Sequence, residues 1–205
     1  MFVPLRICEN DFISREEAAN GASRPRAVPL CIARGFGYGG SDRKGLTKML
    51  RANYHTHTVF CDGSDTPEEM VRAALGRGFL HLGFSGHMDP DIHMDWPAYM
   101  AEMGRLRALY GDRLDILAGV ELDGVYDPAC APGAEYTIGS THFLPVDSPV
   151  PMSVDNSPRM LQELCRDYYG GDWLALCRAY FELEAQVVER TSCTFVGHFD
   201  LVAKF

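Results

Sequence analysis

Seven side chains able to ligate metal recur at comparable places along this 205-residue chain. His55-Thr56-His57 is an H-x-H; Asp62 lies in Phe60-Cys61-Asp62-Gly63, His87 in Phe84-Ser85-Gly86-His87, and Glu121 in Gly119-Val120-Glu121. His142 closes Gly139-Ser140-Thr141-His142, and His198 closes Val196-Gly197-His198. Neutral imidazole and ionised carboxylate both donate to divalent cations such as zinc, manganese or iron. On a strand, residues i and i+2 share a face, so both imidazoles of the H-x-H can converge on one cation. A lone H-x-H fits a surface or packed pair equally well, and Asp62 before Gly63 fits a simple turn. Five successive strand ends each delivering His, Asp or Glu to one rim point jointly to a metal site. Seven nitrogen and oxygen ligands exceed what one tetrahedral ion uses, so more than one divalent ion (Zn, Mn or Fe) is implied. His81, at a strand start, and His93, among Asp89, Asp91 and Asp95, fall outside this pattern. They read as packed or solvated imidazoles.

The elements that must position these groups alternate between strand and helix. Residues 51–58 read as a strand. Thr66-Pro67-Glu68-Glu69 is a capping box with Pro at the first helical position, opening a helix to about Leu75 that Gly76 and Gly78 end. Residues 80–85 form a second strand, and 97–110 an amphipathic helix with Met100, Met103, Leu106 and Leu109 on one face. Strands follow over 114–120 and 136–140, helices over 158–166 and 173–190, and a fifth strand over 194–196. This order predicts an α/β protein with a parallel sheet or barrel, whose chemistry sits at the C-terminal ends of the strands.

Composition narrows the partners. Lys and Arg total 19 against 28 Asp and Glu, and a net charge of −9 argues against nucleic acid and for a small-molecule partner. The seven cysteines contain no C-x-x-C pair, which disfavours a disulfide scaffold or a cysteine zinc finger. No apolar run approaches the roughly 18 residues needed to cross a bilayer. A cytoplasmic protein without a membrane partner is expected. Residues 1–48 differ from the rest: eight basic against five acidic residues, no sustained periodicity, and breaks at Gly21, Pro25, Pro29 and the Gly35 to Gly40 cluster. They read as a loosely ordered N-terminal extension arising from an upstream start codon, with the domain spanning 49–205. Gly35, Gly37 and Gly40 spell G-x-G-x-x-G, but the polar stretch after them, broken by Gly45, lacks the helix of a dinucleotide site.

The run His55-Thr56-His57-Thr58 with Cys61-Asp62-Gly63, Gly86-His87, Gly119-Val120-Glu121, Gly139-Ser140-Thr141-His142-Phe143 and Gly197-His198-Phe199-Asp200-Leu201 resembles the polymerase-and-histidinol-phosphatase (PHP) superfamily. Within it the chain looks most like the histidinol-phosphatases, with further likeness at Val154-Asp155, Tyr168-Tyr169-Gly170-Gly171-Asp172 and Val202-Ala203-Lys204-Phe205. The resemblance implies a distorted (β/α)7 barrel, here incomplete with about five of seven strands. It also implies a trinuclear rim site that hydrolyses L-histidinol phosphate in histidine biosynthesis. His55 and His57 would hold the first ion, and Glu121 would bridge it to a second held by His142 and His198. Asp62 with His87 would serve a third. Members of the family continue through two more strands that supply a late Asp-x-His, whereas this chain ends at Phe205, so only the second ion keeps its whole set.

Phosphate-monoester hydrolysis is slow because an anionic nucleophile must approach a dianion, and clustered cations remove that obstacle without a Ser or Cys nucleophile. Asp89 and Asp200 are the candidates for protonating the leaving alkoxide, and Lys204 for contacting phosphate. The rival readings are another PHP phosphoesterase acting on a sugar or nucleotide phosphate, a nuclease, which the acidic balance disfavours, and a non-catalytic metal-binding remnant.

Overall fold

The computed structural model describes residues 51–88, 94–125, 128–149 and 151–205. The expected extension over 1–48, its glycine cluster, and Asp89 and His93 lie outside the described residues.

Five strands form one parallel sheet in the order β1 (Ala52–Asn53), β2 (His81–Phe84), β3 (Asp115–Asp123), β4 (Tyr136–Ser140) and β7 (Phe195–Val196). Each new strand joins the same edge, so the order never reverses; this is the winding of a barrel, not of a doubly wound sheet. Strand β3 is staggered between its neighbours. Residues 115–118 pair with β2, and 119–123 pair with β4. Such stagger accompanies strand tilt in curved sheets. β3 therefore runs three residues past the predicted end, and Glu121 lies inside the strand, not after it, because β4 offers its ladder to that half.

Strand β1 is shorter than the predicted 51–58. The Asn53 side chain takes the His55 N–H at 3.1 Å, ending the ladder. Hydrogen bonds from Thr56 Oγ1 to Gly83 O (2.7 Å) and from Ser85 N to Thr56 O (2.9 Å) then hold the next residues beside β2.

Helix α1 (Pro67–Gly76) starts at the expected capping box: Glu69 N donates to Thr66 Oγ1 and Thr66 N to Glu69 Oε2. Helix α2 (Trp96–Tyr110) is capped by Asp95, which accepts from Ala98 N. Its buried stripe is Trp96, Tyr99, Met103 and Leu106, whereas Leu109 is 53% exposed. The predicted stripe is thus rotated, because the two aromatic residues near the helix start occupy the space over β2 and β3. The Tyr99 hydroxyl lies 3.0 Å from both the Phe84 and Gly119 carbonyl oxygens.

Two strands among the described residues were not predicted: β5 (Phe143–Leu144) and β6 (Met152–Ser153) form an antiparallel pair after β4. Helix α3 (Pro158–Tyr169) runs from a Ser157 cap to left-handed Gly170. The single helix predicted over 173–190 is two, α4 (Trp173–Glu184) and α5 (Val187–Thr191). The break at Ala185 and Gln186 turns Val187 and Thr191 inward against β3 and β4, while α4 stays on α3. Two apolar cores result. One joins α1 and α2 to β2 and β3; the other gathers Leu144, Val154, Leu161, Leu164, Leu176, Tyr180, Leu201 and Val202. Among the described residues no helix is long and apolar enough to cross a membrane.

Candidate metal centre

The C-terminal ends of the five strands meet at one rim, and the side chains brought together there centre on Glu121. Its carboxylate is fully buried. Oε2 lies 2.8 Å from His55 Nε2, 3.2 Å from His57 Nε2 and 3.6 Å from His87 Nδ1; Oε1 lies 3.1 Å from His198 Nε2 and 3.4 Å from His142 Nε2. The five imidazoles close a ring around it. Neighbouring centroids are 5.2 Å apart for His55 and His57, 4.5 Å for His57 and His87, 5.1 Å for His87 and His142, 5.0 Å for His142 and His198, and 5.5 Å for His198 and His55.

Asp62 reaches the ring through a tight turn in which Cys61 N and Gly63 N both donate to Thr58 O. A side chain at Gly63 would strike the His57 main chain at 2.5 Å, so only glycine permits that turn. Asp62 Oδ1 then lies 3.0 Å from His57 Nδ1, and Oδ2 lies 3.8 Å from His87 Nε2. All seven expected ligands thus share one pocket.

The electrostatics suit cations. Burial disfavours the charged Glu121 carboxylate, but the imidazoles of His55, His87, His142 and His198 outweigh it and hold the group well below the usual carboxylate range. Burial likewise opposes ionised Asp62, yet the His57 hydrogen bond and the His87 charge hold it low. Burial pushes His87 down to about 4, so its imidazole is neutral at pH 7 with a lone pair to donate. For His57 burial also disfavours charge, but hydrogen bonds with Asp62, Cys61 and Glu121 raise it well above its usual value.

Among the described residues, three groups bring three ligand atoms within 4.8 Å of one another: His55, His57 and Glu121; His57, Asp62 and His87; and His87, Glu121 and His142. Buried His87 Nε2 makes no hydrogen bond among the described residues. Buried polar atoms of this kind require a partner, and imidazole with carboxylate is a donor set that divalent cations use. The residues therefore fit metal. The tight group containing His142 includes His87, whereas the resemblance pairs His142 with His198.

Two other expected site residues, Asp200 and Lys204, belong to none of these groups. Asp200 is exposed at the start of the short 3-10 helix Leu201–Ala203. Lys204, a candidate phosphate contact, donates its ammonium to fully buried Asp155, at 3.1 Å to the main-chain oxygen and 3.3 Å to Oδ2. It is paired, not solvated. His81 is half-exposed and meets Asp115 at 3.0 Å.

Sequence reasoning missed three polar residues around the ring. Ser140 Oγ donates to Glu121 Oε1 at 2.5 Å. Asp123, buried, accepts the His142 main-chain N–H at 2.6 Å. Buried Glu184, on α4, has its carboxyl pushed up by burial, which outweighs the opposing influence of Thr141, His198 and His142. Asp123 had a signal: it lies two residues after Glu121 on one strand, hence on the same face.

An all-parallel α/β sheet that gathers five imidazoles and two carboxylates at one rim defines a protein able to bind metal. The chain belongs to the PHP domain family, whose model matches residues 53–204. It is 29% identical over 170 residues to the curated "Probable histidinol-phosphatase" of Deinococcus radiodurans, covering 74% of this chain and 61% of that protein. The chain thus spans about three fifths of that relative's length. Among solved structures, the histidinol phosphate phosphatase of Lactococcus lactis complexed with zinc, L-histidinol and phosphate superposes with a TM-score of 0.58 at 23% identity, over 76% of this chain and 60% of that one. A Listeria monocytogenes structure gives a TM-score of 0.65 at 25% identity, over 75% of this chain and 68% of that one. These likenesses match the incomplete PHP-type barrel expected from the sequence.

Proposed function

We propose that this chain is a metal-dependent phosphoric monoester hydrolase that cleaves L-histidinol phosphate to L-histidinol and phosphate, in histidine biosynthesis. The observation that carries this reading is the ring of five imidazoles around Glu121, with Asp62, at the strand ends of a PHP domain. The names of the relatives support the substrate, and the Lactococcus neighbour, complexed with zinc, L-histidinol and phosphate, supports the metal and the ligands together. The net charge of −9 favours a small phosphate monoester over nucleic acid.

His55 and His57 would hold one ion, Glu121 would bridge it to a second at His142 and His198, and Asp62 with His87 would serve a third. When bound, such ions neutralise phosphoryl oxygens and acidify water. The chain's own groups prepare for this. Glu121 stays ionised, held by the surrounding imidazoles and by the Ser140 hydroxyl. His87 stays neutral, and the Asp62 carboxylate holds the proton on His57 Nδ1. Asp200 is the described candidate for protonating the leaving alkoxide. Residues 49–205 form the hydrolase unit, and 1–48 precede it as an extension.

The test is phosphate release by the purified chain supplied with zinc or manganese, comparing histidinol phosphate with sugar and nucleotide monophosphates. Preference for histidinol phosphate supports the reading. Preference for a nucleotide or sugar phosphate assigns another PHP phosphoesterase activity. Retained metal with no monoester hydrolysed overturns the enzyme reading in favour of a metal-binding role.

A further inference from the structure

We propose that Asp123 is a positioning residue of the metal centre, fixing the ring orientation and the tautomer of His142. The inference rests on reading His142 as a ligand, not on the identity of the substrate. Strand β3 ends at Asp123, whose buried carboxylate has both oxygens committed. Oδ1 accepts from Val125 N at 2.9 Å, which pins the carboxylate to the turn leaving β3. Oδ2 accepts from the His142 main-chain N at 2.6 Å and lies 3.4 Å from the Nδ1 of the same residue. One oxygen therefore accepts the backbone N–H of His142 and faces Nδ1 of its ring.

The consequence for the ring is directional. With its proton on Nδ1 and aimed at Asp123, His142 turns its unprotonated Nε2 toward the cluster, where it lies 3.4 Å from Glu121 Oε1. A carboxylate behind a ligand imidazole also raises its basicity, and loss of such a partner costs about 10- to 100-fold in metal affinity. Two other histidines of the ring are held differently. His57 Nδ1 meets Asp62, itself a candidate ligand, and His55 Nε2 meets Glu121 directly. Asp123 belongs to none of the three tight ligand groups, so its contribution passes through His142.

Two measurements on the full chain test this. The first is the tautomer of His142 in the metal-free wild type, read by long-range 1H–15N correlation at a pH where the ring is neutral and assigned by its loss in His142→Ala. The expected form carries its proton on Nδ1; a proton on Nε2 overturns the proposal. The second is zinc and manganese affinity by chelator competition in wild type and Asp123→Asn. The variant is expected to lose about 10- to 100-fold at the ion held by His142 while keeping affinity at the His57, Asp62 and His87 group. Equal affinity in both proteins overturns Asp123 alone, whereas a wild type that takes up no metal overturns the metal reading itself. If Asp123→Asn fails to fold, the wild-type tautomer decides.

Discussion

Replacing Glu121 with Gln should strip metal from part of the cluster and spare the rest. Glu121 supplies an oxygen to two of the three tight ligand groups, while the group of His57, Asp62 and His87 does without it. The substitution keeps the size of the side chain and removes one negative charge from a site with no solvent exposure. A unit charge pair at 4 Å is worth about 4 kcal/mol at an effective dielectric of 20. At about 1.4 kcal/mol per decade, that is roughly 10^3 in affinity per unit of cation charge, hence a loss of at least about 10^3 at each dependent divalent ion. The assay is equilibrium dialysis against buffered zinc or manganese, followed by elemental analysis per chain. Glu121→Gln should retain only the ion at His57, Asp62 and His87. Asp62→Asn should show the converse, losing that ion and keeping those that depend on Glu121. Identical losses in the two variants, or undiminished metal in Glu121→Gln, would refute the assignment of ligand groups.

Three other outcomes follow from the same structure. A side chain at Gly119 would overlap the Tyr136 ring, and that ring is anchored by its hydroxyl donating to Tyr54 O at 2.7 Å. Gly119→Ala should therefore cost about 1 to 3 kcal/mol in denaturant unfolding but far less in a Tyr136→Leu background, and equal costs would contradict the packing. Burial raises the Glu184 carboxyl, so the folded chain binds that proton more tightly than the unfolded one. Its stabilising contribution is complete below the usual glutamate range and is lost as pH rises. Glu184→Gln should then gain stability relative to wild type as pH rises above the usual glutamate range, measured on metal-free protein; a difference independent of pH would rule this out. His57 is held protonated and His87 neutral, so metal uptake at neutral pH should release close to one proton from the group they share with Asp62. A pH-stat titration that detects no release would show that His57 keeps its proton or does not ligate.

Much of the helix architecture was legible because its signals are local. The Thr66 to Glu69 capping box is a contact within four residues, and α1 begins where it appears. The predicted strand 136–140 coincides with β4 (Tyr136–Ser140). The single helix expected over 173–190 was illegible as two, because residues 185–186 carry neither Gly nor Pro. The chain turns there so that Val187 and Thr191 can bury against a sheet that helical periodicity does not describe. The rotation of the α2 stripe has the same origin. Leu109 satisfies the helical period, but Trp96 and Tyr99 have the neighbours that bury them.

By itself the sequence determined that side chains of types suited to divalent cations lie at or near the strand ends, although Glu121 lies within β3. Only the tertiary structure decided that five imidazoles close into a ring around Glu121. That closure depends on the stagger of β3 between β2 and β4, a register between strands separated by whole helices, to which no local pattern responds. Asp123 shows the same division. Its place on the face of Glu121 follows from a period of two, but its grip on His142 exists only because β4 delivers that residue beside the end of β3.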